Sequence, residues 1–224
     1  MERDAVTRVS AQVALVGIGI AVVLVLGLTL AVDQVDPVRR TISEYALIPE
    51  LKPIFDVGVL AFAAAALATL VALVRAGIVR VWSVGSAGLV LGAAGLVAVV
   101  VFEKVNWAVG PSLSGYVHRY ASLVAFVALP VAAIAVGRAC RAAWPRLAGW
   151  ARWTGIAALA WFTPILVGFA QRPLTGVSWW RAIPLGLVER GLALTVVVTV
   201  AVLAVWGLAA ARRIPARDVR FFAG

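Results

Sequence analysis

The chain has 224 residues, of which 63% belong to the hydrophobic set and 13% are charged, and its mean hydropathy is +1.03. A soluble domain is about half apolar and a quarter charged, and a disordered chain is poor in hydrophobic residues, so both classes are excluded. The net charge of +10, from 20 basic and 10 acidic residues, reads here as arginine flanking membrane spans, with no nucleic-acid partner, because no basic segment carries interleaved aromatics or a nucleic-acid-binding fold signature.

Crossing the hydrocarbon core takes about 20 apolar residues, and six segments suffice or nearly so: 11–32, 54–74, 81–102, 117–137, 153–170 and 187–211. The expected fold is all-α, one integral membrane bundle of six transmembrane helices filling a single domain, 1–224. In the first span the apolar run Val13 to Val32 has 20 residues. A secretory h-region is about 7–15 residues, so the segment is expected to stay as an uncleaved span. Pro53 and Pro184 stand just ahead of the second and sixth spans, where a first-turn proline is tolerated. The third span carries Gly85, Gly88, Gly92 and Gly95, including one GxxxG pair. Such a face lets helices approach closely and is expected to be structural; it is also the candidate face for a homo-oligomer. Cys140, the only cysteine, sits among Arg138, Arg141 and Arg146 and is expected to be a reduced, cytoplasmic thiol. Trp161 falls inside the fifth span, where packing or a ligand pocket would explain it.

Orientation follows from the basic residues. With both termini cytoplasmic, the inner segments hold 12 of them and the outer segments 8, which favours that topology and a multi-pass protein of the cell membrane. Trp82, Trp144, Trp150 and Trp153 would then mark the inner boundary, and Trp107, Trp179 and Trp180 the outer one, as an aromatic belt.

The acids are distributed unevenly. Asp33, Asp36, Glu44, Glu50, Asp56, Glu103 and Glu189 all map to the outer loops or outer helix ends, together with His118, the single histidine. An ionisable group near the membrane is costly and is a functional candidate by default. Three groupings emerge. Between the first two spans, Asp36-Pro37 predicts a helix start, with Val38, Ile42 and Tyr45 as an apolar face. Thr41 to Glu44 fits a capping box, and Arg40 and Glu44 have ion-pair spacing. This segment reads either as a capped interfacial helix or as a lid turning Arg39, Ser43 and Glu44 into an outward cavity. Second, Ser114, His118 and Ser122 are spaced four apart, on one helix face, where a histidine between hydroxyls suits a general base or proton shuttle. Third come Asp56, expected in the first turn of its helix, then Glu103 and the pair Glu189-Arg190. Arg119 and Arg190 either bind an oxyanionic headgroup or pair with Glu103 and Glu189.

The candidate catalytic set is therefore Glu44, His118, Asp56 and Glu189. The candidate substrate-binding set is Arg39, Ser43, Tyr45, Arg119, Ser122, Trp161 and Arg190. One histidine without a nearby cysteine makes no zinc set, and neither metal nor cofactor is expected. Nucleophile-elbow, Walker A, zinc-protease and aspartate-rich diphosphate motifs are all missing from the sequence, which argues against ATP-driven transport by this chain alone.

At Asp36 to Tyr45, reading D-P-V-R-R-T-I-S-E-Y, the chain resembles the bacterial membrane family catalogued as domain of unknown function 998. The G-Y-V-H-R-Y-A-S stretch at Gly115 to Ser122 and G-L-V-E-R-G at Gly186 to Gly191 are similar in kind and order. The resemblance implies fold and topology and carries no activity. A fainter similarity, through Ile42-Ser43-Glu44, Pro49-Glu50 and Ile54-Phe55, runs to the Frag1/DRAM/Sfk1 group, some of whose members are tied to lipid-anchor remodelling. The expected function is an enzyme acting on a lipid or isoprenoid at the outward polar site, by acid-initiated cyclisation or headgroup or acyl chemistry. The alternatives are a small secondary transporter or a non-catalytic scaffold subunit.

Overall fold

The computed structural model describes residues 2–105, 110 and 112–212. Among them it is all helical: α1 (Glu2–Ala31), a 3₁₀ helix (Ile42–Leu47), α2 (Lys52–Arg75), α3 (Val84–Val101), α4 (Leu113–Ala139), α5 (Pro145–Ala160), α6 (Thr163–Thr175), α7 (Trp179–Ala182) and α8 (Leu185–Ala211). Six helical stretches are long and apolar enough to cross a bilayer, with α5 and α6 together making the fifth, Pro145–Thr175. This is a multi-pass membrane protein. Apolar side chains on the outer faces, such as Val23, Leu30, Val84 and Leu194, are more than half exposed; a bilayer removes the cost of that exposure.

Helices α1 to α5 pack in chain order, and α8 closes the bundle by packing on α1, α2, α4 and α5. Its inward stripe, including Leu192, Val196, Val200, Leu203 and Trp206, is at most 3% exposed. The third-span glycines face α4 of the same chain. A Cβ on Gly88 would lie 2.7 Å from Ala128 O, and one on Gly95 would lie 2.7 Å from Ala121 O. The surface considered for a second copy is thus occupied within the protomer.

The fifth span differs from the expected 153–170. It is longer and breaks at Trp161–Phe162, where Trp161 N turns back to Ala158 O and Pro164 opens α6. A proline there lacks the N–H that a continuous helix would use. Beyond the break α6 leaves the bundle and packs on α7, with Phe169 stacked on Trp179 at 4.8 Å. Trp82, Trp150 and Trp153 are exposed as the belt requires, whereas Trp144 turns inward onto Trp206, with ring centroids 6.2 Å apart. Trp107 lies outside the described residues. Cys140 Sγ donates to Ile78 O at 3.3 Å, and burial raises its thiol above the usual range.

Candidate functional site

The polar layer forms where the segment between α1 and α2 meets α8. Asp36 does cap a turn, its Oδ1 accepting from Val38 N at 2.8 Å and Arg39 N at 3.3 Å. That turn does not run on into a helix; the 3₁₀ helix begins only after Thr41, whose backbone is extended. The reason is competition for the backbone. In a continuous helix Thr41 N and Ile42 N would bond to Pro37 O and Val38 O. Here Arg190 Nη1 takes Pro37 O at 2.9 Å and Leu187 N takes Val38 O at 3.1 Å. The displaced donors turn to carboxylates: Thr41 N to Glu44 Oε1 at 3.4 Å, and Ile42 N to Glu189 Oε2 at 3.1 Å. Consequently Val38 is 46% exposed and drops out of the expected apolar face, while Ile42 and Tyr45 stay buried.

Glu189 and Arg190 therefore grip one loop by its donor and acceptor groups respectively. Arg190 also reaches Arg40 O at 2.7 Å and Tyr45 Oη at 3.2 Å. Gly186 permits this closeness, because a Cβ there would sit 2.7 Å from Pro37 O. Its hydrogen bonds thus go to backbone carbonyls and a tyrosine and none to the Glu189 carboxylate.

Lys104, just past α3, is the residue the sequence reading missed. Its ammonium bonds to Thr41 Oγ1, to Ser43 Oγ at 3.1 Å and approaches Glu44 Oε1 at 3.6 Å, with 10% of the side chain exposed. Burial holds its pKa below the usual lysine range, and the Glu189 and Glu44 carboxylates pull it part of the way back. The Arg40–Glu44 pair forms at 3.3 Å, with Arg40 largely exposed. One signal was available: every other basic residue except Lys52 is arginine, and both lysines lie in the acidic layer.

The other candidates scatter. Asp56 is the fifth residue of α2, beyond its first turn because the helix starts at Lys52, and it pairs with Lys52 at 2.6 Å. Glu103 is 71% exposed and 3.8 Å from Lys52. His118 is 5% exposed, and its Nδ1 bonds Val99 O at 3.0 Å and Phe102 O at 2.9 Å. Two carbonyl partners make Nδ1 the protonated nitrogen, so His118 ties off the last carbonyls of α3. Ser114 Oγ donates to Glu103 O and Ser122 Oγ to His118 O, both at 2.8 Å. Arg39 is exposed, and Arg119 is exposed with its guanidinium 6.0 Å from the Tyr116 ring. Trp161 sits against Gly191 and donates to Thr195 Oγ1 at 3.0 Å; it braces the helix break against α8.

Beneath the 3₁₀ helix lies a cavity of about 350 Å³ between α1, α2, α3, α4 and α8. Its walls are apolar, with Phe55, Phe62 and Phe126 among them, and its polar end carries Ser43, Glu189 and Arg190. Along α8 it runs from Glu189 to Val197, about 12 Å at 1.5 Å per residue. Val22, Leu26 and Leu194 line it and are 37%, 52% and 62% exposed, so it opens sideways between α1 and α8. At the opposite end these helices close up, around Ala11 and Gly207. Of the predicted site residues, Ser43, Ser122, Glu189 and Arg190 line the cavity. Glu44 and Tyr45 hold its roof from behind.

Residues 15–206 match the model of a family described as a protein of unknown function, DUF998. The chain belongs to that family. No curated protein and no solved structure matches it. Within this DUF998 protein, the described residues contain no cluster of three or more metal-ligating side chains.

Proposed function

We propose that this DUF998 protein is an enzyme of the bacterial cell membrane that draws a lipid or isoprenoid chain into the lateral cavity and acts on its polar end. The observation that carries the reading is the Glu189 carboxylate at the closed, polar end of an apolar cavity that opens toward the bilayer. A carboxyl group in such a place suits proton transfer, and of the candidate catalytic set Glu189 takes the acid/base role. Ser43 contacts the polar end of the substrate. Glu44 and Lys104 set the position of Ser43, and His118 sets that of Val99 in the wall. For acid-initiated cyclisation the cation-facing aromatics would be Phe55, Phe62 and Phe126, which line the cavity; Trp161 does not line it. With the basic residues inside, the polar end faces outward.

Transport is the second reading, favoured by the interrupted fifth span, since transporters use broken helices. It ranks lower because the break at Trp161–Phe162 contributes nothing to the cavity lining. The test is lipid profiling of cells making wild type, Glu189→Gln or Glu44→Gln at matched membrane levels. Expected is a lipid species that changes with wild type and returns to the empty-vector level in Glu189→Gln, with Glu44→Gln in between. Identical profiles from folded wild type and Glu189→Gln would overturn the enzymatic reading.

A further inference from the structure

The cavity's walls and its polar end make different demands on an occupant. A hydrocarbon chain gains little by leaving the bilayer for an equally apolar cavity, so selection has to come from the polar end. The hydrogen-bonding capacity left there can be counted. The Lys104 ammonium is spent on Thr41, Ser43 and Glu44. Thr41 Oγ1 passes its hydrogen to Glu44 Oε1 at 3.4 Å and so accepts that of Ser43 at 3.3 Å. Arg190 spends Nη1 on Pro37 O, Arg40 O and Gly186 O and one Nη2 hydrogen on Tyr45 Oη, which leaves the second Nη2 hydrogen and a buried Nε–H unspent. Thr29 and Ser122 give their hydrogens to Val25 O and His118 O, each at 2.8 Å. What these lining groups still offer is mostly lone pairs: those of Ser43, Thr29 and Ser122, and the Glu189 carboxylate, of which one oxygen holds Ile42 N; against these stand only the leftover hydrogens of Arg190.

We infer that the lipid taken by this cavity carries a small hydrogen-bond-donating head, a hydroxyl or an ammonium and not a phosphate, and enters sideways between α1 and α8. The inference rests on the proposal that the cavity is the lipid site. A phosphate would meet the Glu189 carboxylate and three hydroxyl oxygens whose hydrogens are already placed, and most of the arginine fork that would bind it is already spent on the loop carbonyls and Tyr45.

The test uses the full chain in phosphatidylcholine nanodiscs and three photoactivatable probes with one common alkyl chain, ending in an alcohol, a primary amine or a phosphate. Labelled peptides are mapped after irradiation. The alcohol or the amine is expected to label residues 21–29 and 189–197 about tenfold more than the phosphate, the margin of one hydrogen bond to a charged group. Glu189→Gln still accepts from Ile42 N but replaces a carboxylate oxygen with an amide donor, so it should narrow the gap; an amine-headed occupant would lose more than an alcohol. Phosphate labelling equal to or above the others would overturn the head-group assignment while leaving the cavity as the lipid site. So would a gap of unchanged size in folded Glu189→Gln. Should that variant fail to fold, the ranking on wild type decides alone. Absence of label from both segments, or label that persists in Ala193→Phe, which fills the cavity from α8, would overturn the lipid site itself.

Discussion

Lys104 shows how much one side chain can be asked to do at the edge of a membrane. It joins Thr41, Ser43 and Glu44 from outside their own segment, and without it the Ser43 hydroxyl keeps only Thr41 as a side-chain partner. Burial lowers its pKa below 10.5, the value it regains on unfolding. In the interval between those two values the unfolded chain binds the extra proton, so stability rises with pH through that window. Below the lowered value both states are protonated and the burial cost is felt in full. Thermal unfolding of wild type and Lys104→Met from about pH 8 to 11 checks this: wild type should gain stability across the window relative to the variant, and parallel curves would contradict it. Arg190 teaches a related lesson. Its neighbour Glu189 suggested an ion pair or a headgroup clamp, but its guanidinium serves as a donor fork for the carbonyls of residues 37 and 40. No local pattern announces that use, because the partners lie some 150 positions away.

Among the elements, those governed by length and hydropathy were the readable ones. α2, α3 and α8 fall within about three residues of the expected spans, because spanning length and flanking charge define them. The segment after Asp36 was misjudged because tertiary contacts from α8 captured the carbonyls a helix would have used. The fifth span was misjudged because its break follows from Pro164 and the seat that Gly191 gives Trp161, and only the latter depends on the fold. The glycine face of α3 packs on α4. Gly88→Leu would drive a side chain into Ala128 O and Ala132. Overpacking of this kind costs about 1–3 kcal/mol, more where backbone blocks the way. The thermal midpoint of the purified protein should fall clearly. An unchanged midpoint would mean that α3 and α4 do not pack this closely.

At the scale of the molecule, α1 and α8 meet around Ala11 and Gly207 and part toward the 3₁₀ helix, which leaves a slot facing lipid under a polar roof. Composition foretold the membrane and the asymmetry of the acids foretold which end would be polar. The cavity itself was not legible, since it arises from how two helices far apart in sequence diverge. Its polar groups were only partly legible: Glu189, Arg190, Ser43 and Ser122 stood out as ionisable or hydroxyl residues at a membrane edge, while Thr29 was hidden in an apolar run. The central claim, that a lipid chain occupies this slot, is tested most directly by extracting and identifying the lipid that co-purifies with the protein. Wild type should carry a defined species near one per chain, and folded Ala193→Phe should lose it. Wild type carrying only the bulk membrane mixture, in the same amount as the blocked variant, would contradict the account.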